Sequence, residues 1–324
     1  MQSKNSNYQF ITFSKSQISV YHTARQGENR IGASIFSIQE SSEAKFILLG
    51  ISESIGPLAN GGQKGAENAF ESFLPFFLNT QDFRHDAACI GMIQWIGTYP
   101  EDSILSDYVN ELDEFVLAVL TQYVRQNQIP IVIGGGHNNA LPLIRWANLS
   151  QKKIEVVNMD AHADCRALEG RHSGNSFSYA INEGLLQKYL VFGLHRPYLN
   201  DVSHQFLLDH SANFTFYEDY LDGKQSLDDD LKHLISSHPI ASSLGIDIDM
   251  DCIADMPSSA ISPSGWRLDE VRSVLRKLAQ SKLPISYLHL TEAAPITEVE
   301  QKKAGKALAY LVRDFLENIN DTKG

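Results

Sequence analysis

Residues 158–164 read NMDAHAD, so Asp160, His162 and Asp164 stand two apart with alanines between them. In extended backbone, side chains alternate between two faces, and these three share one side. The same rule puts Asp247, Asp249 and Asp251 of GIDIDMD on one side, with Ile246, Ile248 and Met250 opposite. His137 follows the apolar run of PIVIGGGHNN as a third donor. Acids on a central strand would repel one another and cost several kcal/mol each when buried. One divalent cation relieves that cost, and two relieve it more fully. Carboxylates with one or two imidazoles and no thiolate form a hard, oxygen-rich set. Such a set favours Mn²⁺, with Ni²⁺, Co²⁺ or Fe²⁺ as competitors. A structural zinc site would use more Cys and His. Two ions about 3.5–4 Å apart would share a water and make it acidic near neutral pH. GGGH is not a P-loop, because no Lys-Ser/Thr follows the glycines.

These donors need strand ends to hold them. Near-continuous apolar runs at 45–51, 87–93, 130–136, 153–159, 188–194, 241–250 and 284–290 predict buried parallel strands. Apolar residues at three- and four-residue steps predict helices over 106–127, 267–280 and 301–319. A further helix is expected over 62–79, interrupted or ended near Pro75. Strand–helix alternation implies a doubly wound α/β sheet, and such sheets bind ligands beyond the carboxyl ends of their strands. The three metal-binding segments each sit at such an end. With no repeat or linker, the expected organisation is one domain over 1–324, with 1–40 peripheral to the core.

Composition narrows the function class. The chain has 324 residues, 43% hydrophobic and 20% charged, enough for a large core. A formal net charge of −12 argues against a nucleic-acid footprint or a polybasic membrane patch. The 3 cysteines, Cys89, Cys165 and Cys252, form no CxxC and suggest neither a disulfide framework nor a zinc finger. Cys165 and Cys252 are read as packing. No apolar run long enough for a signal peptide or a membrane span occurs, so the cytoplasm is the expected compartment.

The ordered blocks GGGHNN, DAHAD, DIDMD and TEAAP resemble the ureohydrolase superfamily of arginases, agmatinases and formimidoylglutamases. The resemblance covers roughly residues 45–320. It implies a three-layer αβα fold around a mostly parallel sheet, two Mn²⁺ ions and a homo-oligomer. The ligands it implies are His137, Asp160, His162, Asp164, Asp247 and Asp249. The spacing from Asp249 to Pro257 matches the family and leaves Asp251 outside the ligand set. The best likeness is to formimidoylglutamases. CRALEGRHSGNSFSYA is similar to that branch's pattern, and arginases and agmatinases usually carry His where Phe177 stands. LGISESIGPLANGGQKGAENAF also resembles the N-terminal block of formimidoylglutamase-like proteins.

The implied reaction hydrolyses N-formimidoyl-L-glutamate to L-glutamate and formamide, a step of histidine degradation. Asp164 would carry the proton, and Glu292 would pair with the cationic amidine. Arg166, with Ser173 and Asn175, would bind the carboxylates, since a planar guanidinium suits that group. An ion pair of Arg166 with Glu169 is the structural alternative. His172 is read as a loop residue ahead of a proton shuttle. Two other functions stay open: a ureohydrolase acting on a guanidino compound, and a metal-binding homologue without catalysis.

Overall fold

The computed structural model describes residues 7–83, 86–99, 104–150, 153–239 and 241–319. Nine strands form one sheet: β1 (Tyr8–Thr12), β2 (Phe46–Ser52), β3 (Ala87–Trp95), β4 (Ile129–Ile133), β5 (Lys153–Met159), β6 (Leu186–Leu194), β7 (Asn213–Phe216), β8 (Ser242–Asp249) and β9 (Ile285–Thr291). Their order is β1-β3-β2-β4-β9-β8-β5-β6-β7. Every pairing is parallel except β1 with β3. All seven expected strands are present. The two that sequence patterning missed, β1 and β7, are the short edge strands.

Alternation along each strand builds two cores. On one face Leu48, Ile131, Ile133, Val157, Met159, Ile246, Ile248, Leu288 and Leu290 pack against helices Ala69–Leu78, Leu268–Gln280 and Glu298–Asn318. On the other, Ile47, Leu49, Ile51, Val132, Val156 and Tyr287 meet helices Leu105–Tyr123, Ala140–Asn148 and Ser176–Asn182. Helices on both faces of a mostly parallel sheet make the three-layer αβα architecture that the resemblance implies. Side chains that share the second face therefore include Asn158, Asp247 and His289, at adjacent register positions on β5, β8 and β9.

Two expectations are adjusted. The helix expected over 62–79 begins only at Ala69, because Gly61 and Gly65 hold positive φ and break the preceding turn. It then runs through Pro75 to Leu78. The 1–40 segment supplies the edge strand β1 and also fully buries Ile31 and Ile35 in the first core. Its residues 1–6 lie outside the described ones. Among the described residues, no helix is long and apolar enough to cross a membrane.

Candidate metal centre

Four adjacent strands, β4, β9, β8 and β5, end side by side at the middle of the sheet. Beyond β4, Gly134 (φ 89°) and Gly135 (φ 71°) turn the chain through the left-handed region, so that His137 points back over the sheet. The register Asn158↔Asp247 and Met159↔Ile248 carries on to set Asp160 beside Asp249. β8 stops at Asp249, and a single 3₁₀ turn over Met250–Cys252 swings Asp251 forward. Asp249 Oδ1 caps that turn, accepting from the Asp251 N–H at 2.8 Å.

His137 Nδ1 lies 2.9 Å from Asp164 Oδ2, 3.1 Å from Asp249 Oδ2 and 3.3 Å from Asp160 Oδ2. His162 Nδ1 lies 2.9 Å from Asp251 Oδ2 and 3.6 Å from Asp160 Oδ1. Among the described residues the donors form three groups: His137, Asp160, Asp164 and Asp249; Asp160, His162 and Asp251; and, deeper in the sheet, His137, Asp247 and His289. The two groups that reach the cavity differ from the expected ligand set in one acid, Asp251 in place of Asp247. Asp247 lies a pleat below, where its carboxylate takes the Tyr287 hydroxyl at 2.7 Å and faces His289 Nδ1 at 2.8 Å. Asp251 takes its place on the cavity wall. Three alternating acids share a face of β8, but only those at and beyond the strand's end reach the cavity.

The donor set fits a pair of hard divalent cations. Burial alone would raise the Asp160 carboxyl, but bonds from His137 and His162 outweigh it and hold it low. Burial pushes Asp164 up, and neighbouring Asp160 adds to that. Asp249 is pushed well above the carboxylate range by burial, then by Asp251 and Asp160. Burial opposes charge on His137, yet its acidic neighbours raise it strongly. Such a cluster must trap protons unless cations neutralise it. Asp251 Oδ1 is buried without a hydrogen-bond partner among the described residues, as an unused ligand atom would be.

Above the cluster opens a cavity of about 430 Å³ lined by Asn60, His162, Asp164, Arg166, Ser173, Tyr198, Asn200, Ser203, Asp249, Asp251, Ser259 and Glu292, with small residues between them. Glu292 follows β9 in the left-handed region (φ 62°), as Asp164 does after β5 (φ 45°). Strained backbone of this kind in non-glycine residues concentrates at functional sites. Glu292 accepts the His137 N–H at 2.8 Å and the Ser259 hydroxyl, so its carboxylate is fixed over the cluster. Burial pushes its carboxyl up to about 7, against the lowering effect of those two bonds.

The part of the lining after Asp164 is looser. Arg166 is half-exposed, donates Nη1 to Asn60 Oδ1 at 2.6 Å, and pairs with Glu169 at 3.1 Å. It therefore both lines the cavity and makes the ion pair that was its structural alternative. Ser173 also lines the cavity, within 3.4 Å of Asn60 Nδ2. Asn175 does not. Its Oδ1 accepts from Arg171 Nη1 at 2.7 Å and the His172 N–H at 3.1 Å, and its amide donates to Gly170 O at 2.6 Å and Ala167 O at 3.3 Å. The amide braces the loop from inside. His172 is buried beside it; burial, then nearby Arg166, pushes its imidazole down to about 4. Its Nδ1 accepts the Gly174 N–H at 3.1 Å, the bond of a loop residue. Phe177 and the His137 ring meet in a T-shaped contact, with centroids 5.2 Å apart. Cys165 and Cys252 are buried among core residues, and burial raises both thiols.

Several contributors escaped sequence reasoning. Fully buried Glu53 accepts from the Gly136 N–H (2.8 Å), Asn139 Nδ2 (2.8 Å) and the Gly56 N–H (3.0 Å), which pins the loop carrying His137. Asn60, Asn200 and Ser259 line the cavity from loops, Tyr198 from a 3₁₀ turn and Ser203 from the helix Asp201–Asp209, with no spacing signature among them. Tyr198 stacks on His162 with ring centroids 5.0 Å apart. An acid after a buried strand (Glu53 in GISESIG) was the one signal available.

Residues 84–317 match the arginase family. Formimidoylglutamase of Geobacillus sp. strain WCH70 is 26% identical over 298 residues, covering 85% of this chain and 84% of its own. The Staphylococcus aureus strain MRSA252 enzyme of that name is 24% identical over 276 residues, 83% of this chain and 85% of its own. Among solved structures, Bacillus subtilis formimidoylglutamase superposes with TM-score 0.74 at 15% identity, over 90% of this chain and 93% of that one. Trypanosoma cruzi formiminoglutamase with Mn²⁺ superposes with TM-score 0.70 at 20% identity, over 89% and 99%. With acids and imidazoles gathered at the carboxyl ends of the central strands, this chain belongs to the arginase family, metal-dependent hydrolases of C–N bonds in linear amidines.

Proposed function

We propose that this chain hydrolyses N-formimidoyl-L-glutamate to L-glutamate and formamide, using two Mn²⁺ ions. One would be held by His137, Asp160, Asp164 and Asp249, and the other by Asp160, His162 and Asp251, with Asp251 replacing Asp247 in the expected set. When bound, the pair supplies Lewis acidity and lowers the pKa of a coordinated water. The rest falls to the chain's own residues. Glu292, braced by His137 N–H and Ser259, pairs with the cationic amidine and aims its carbon at the cluster. Asp164 accepts a proton there and delivers it to the departing glutamate nitrogen. Arg166, oriented by Asn60, binds a carboxylate with Ser173 beside it. Asn175 is withdrawn from that role. The relatives' shared name supports the substrate, and their Mn²⁺ structures support the metal. We further propose a single-domain chain that assembles as a homo-oligomer and works in the cytoplasm.

The observation that carries this reading is one cavity whose lining holds the acid cluster, Glu292 and the guanidinium of Arg166. Metal analysis of the purified protein with a product screen tests it. Two divalent ions per chain and formamide from formimidoylglutamate are expected; metal without formamide removes the substrate assignment. A guanidino acid is the second reading, favoured by one observation: the cavity lining holds a single arginine, enough for one carboxylate. Urea release from such a compound would identify it.

A further inference from the structure

Asp247 is fully buried and lies outside the cavity lining, yet three polar side chains face it. The Tyr287 hydroxyl donates to Oδ2 at 2.7 Å. His289 Nδ1 approaches Oδ1 at 2.8 Å, and His137 Nε2 faces that same oxygen at 3.6 Å. The arrangement is built into the sheet. Asp247 pairs with His289 in the β8–β9 register, and Gly245 leaves room for the Tyr287 ring, since a Cβ there would come 2.5 Å from its Cζ. The carboxylate is gripped through both oxygens and cannot swing up among the cluster's acids.

We propose that Asp247 is a positioning residue that sets the tautomer and orientation of His137 for metal binding. This rests on the reading of His137 as a ligand. His137 turns Nδ1 toward Asp160, Asp164 and Asp249. A ring nitrogen that offers its lone pair to a cation carries no proton, so the neutral ring carries it on Nε2. Nε2 is buried and makes no hydrogen bond with the described residues. Asp247 Oδ1 at 3.6 Å is too far for a full hydrogen bond. It is nonetheless the carboxylate oxygen that Nε2 faces, on the side of the ring away from Asp160, Asp164 and Asp249. Carboxylates behind metal-binding imidazoles hold ring and proton in this way. His289 and Tyr287 hold Asp247 in turn. The acid that resembled a ligand in sequence thus acts through a ligand.

Asp247→Asn keeps the shape and removes the charge. The readout is Mn²⁺ affinity by chelator competition, alongside the Tm of the metal-free protein. The expected result is a metal-free Tm close to wild type and a loss of about 10–100-fold in affinity at one of two sites. Tyr287→Phe, which spares Oδ1, should change affinity less than Asp247→Asn does. If Asp247→Asn does not fold, His289→Gln carries the same expectation with a smaller loss. Wild-type affinity at both sites in the folded variant overturns this inference alone. A wild type that takes up no divalent ion overturns the parent reading, and this inference with it.

Discussion

The two ends of the cavity are made differently. At the cluster, His137, Asp160, Asp249 and Asp251 are almost fully buried and sit at the ends of central strands or within a turn of them. Their neighbours are also fixed: Asn158 donates to Asp160 at 2.9 Å, and Ser176 donates to the His137 carbonyl at 2.7 Å. At the other, Arg166 is half-exposed, lies between elements, and shares its guanidinium between Asn60 and Glu169. One end is positioned by the sheet, the other by loop side chains that solvent reaches. Chemistry common to a family can rest on the first, and discrimination among substrates falls to the second. Alterations at the two ends should therefore fail in different ways.

The sharpest break comes from Asp249→Ala. It removes an acid that faces His137 within the first donor group and leaves the others to repel without a cation. Bound metal should fall below two ions per chain and hydrolysis should fall to background, read by metal analysis and formamide release. Full activity at full metal content would remove Asp249 from the centre. Arg166→Ala should act at the other end only. Metal content should stay unchanged, while KM for acidic amidines rises about tenfold, the low end for a charge-assisted contact because the site is exposed. KM for neutral amidines should hardly move, and an equal rise for both would take Arg166 out of recognition.

The same contrast decided what could be read from sequence. Alternation with period two is a property of strands, so Asp160, His162 and Asp164 declared a shared face, and the apolar run before them declared a buried strand. Periodicity groups Asp247, Asp249 and Asp251 on one face; the choice of Asp247 over Asp251 rests on the family's spacing to Pro257, whereas the depth at which β8 stops decides which of them meets the cavity. That depth is a packing outcome, set by the 3₁₀ turn at Met250. Ser173 and Asn175 show why the Arg166 end was harder. They stand two apart in one loop, and only the conformation of that 3₁₀ turn sends one to the cavity and the other inward. Edge strands β1 and β7 escaped for a related reason: short strands carry too little pattern.

Asn175 provides the finest test of the two-ended view, because sequence placed it in the pocket and the structure places it behind the wall. Its Oδ1 takes bonds from Arg171 and the His172 backbone, and its Nδ2 bonds two carbonyls. Arg171 in turn is paired with buried Asp113 at 2.8 Å and donates to the Asn138 carbonyl at 2.9 Å, one residue past His137. Asn175→Ala strands several of these groups, and each buried group left unpaired costs about 1–3 kcal/mol. The expected result is a lower Tm with metal content and KM close to wild type. A KM increase confined to acidic amidines, at unchanged Tm, would return Asn175 to the pocket. A loss of metal at unchanged Tm would mean that the brace reaches His137 through Arg171 and Asn138, and that the two ends are less separate than their construction suggests.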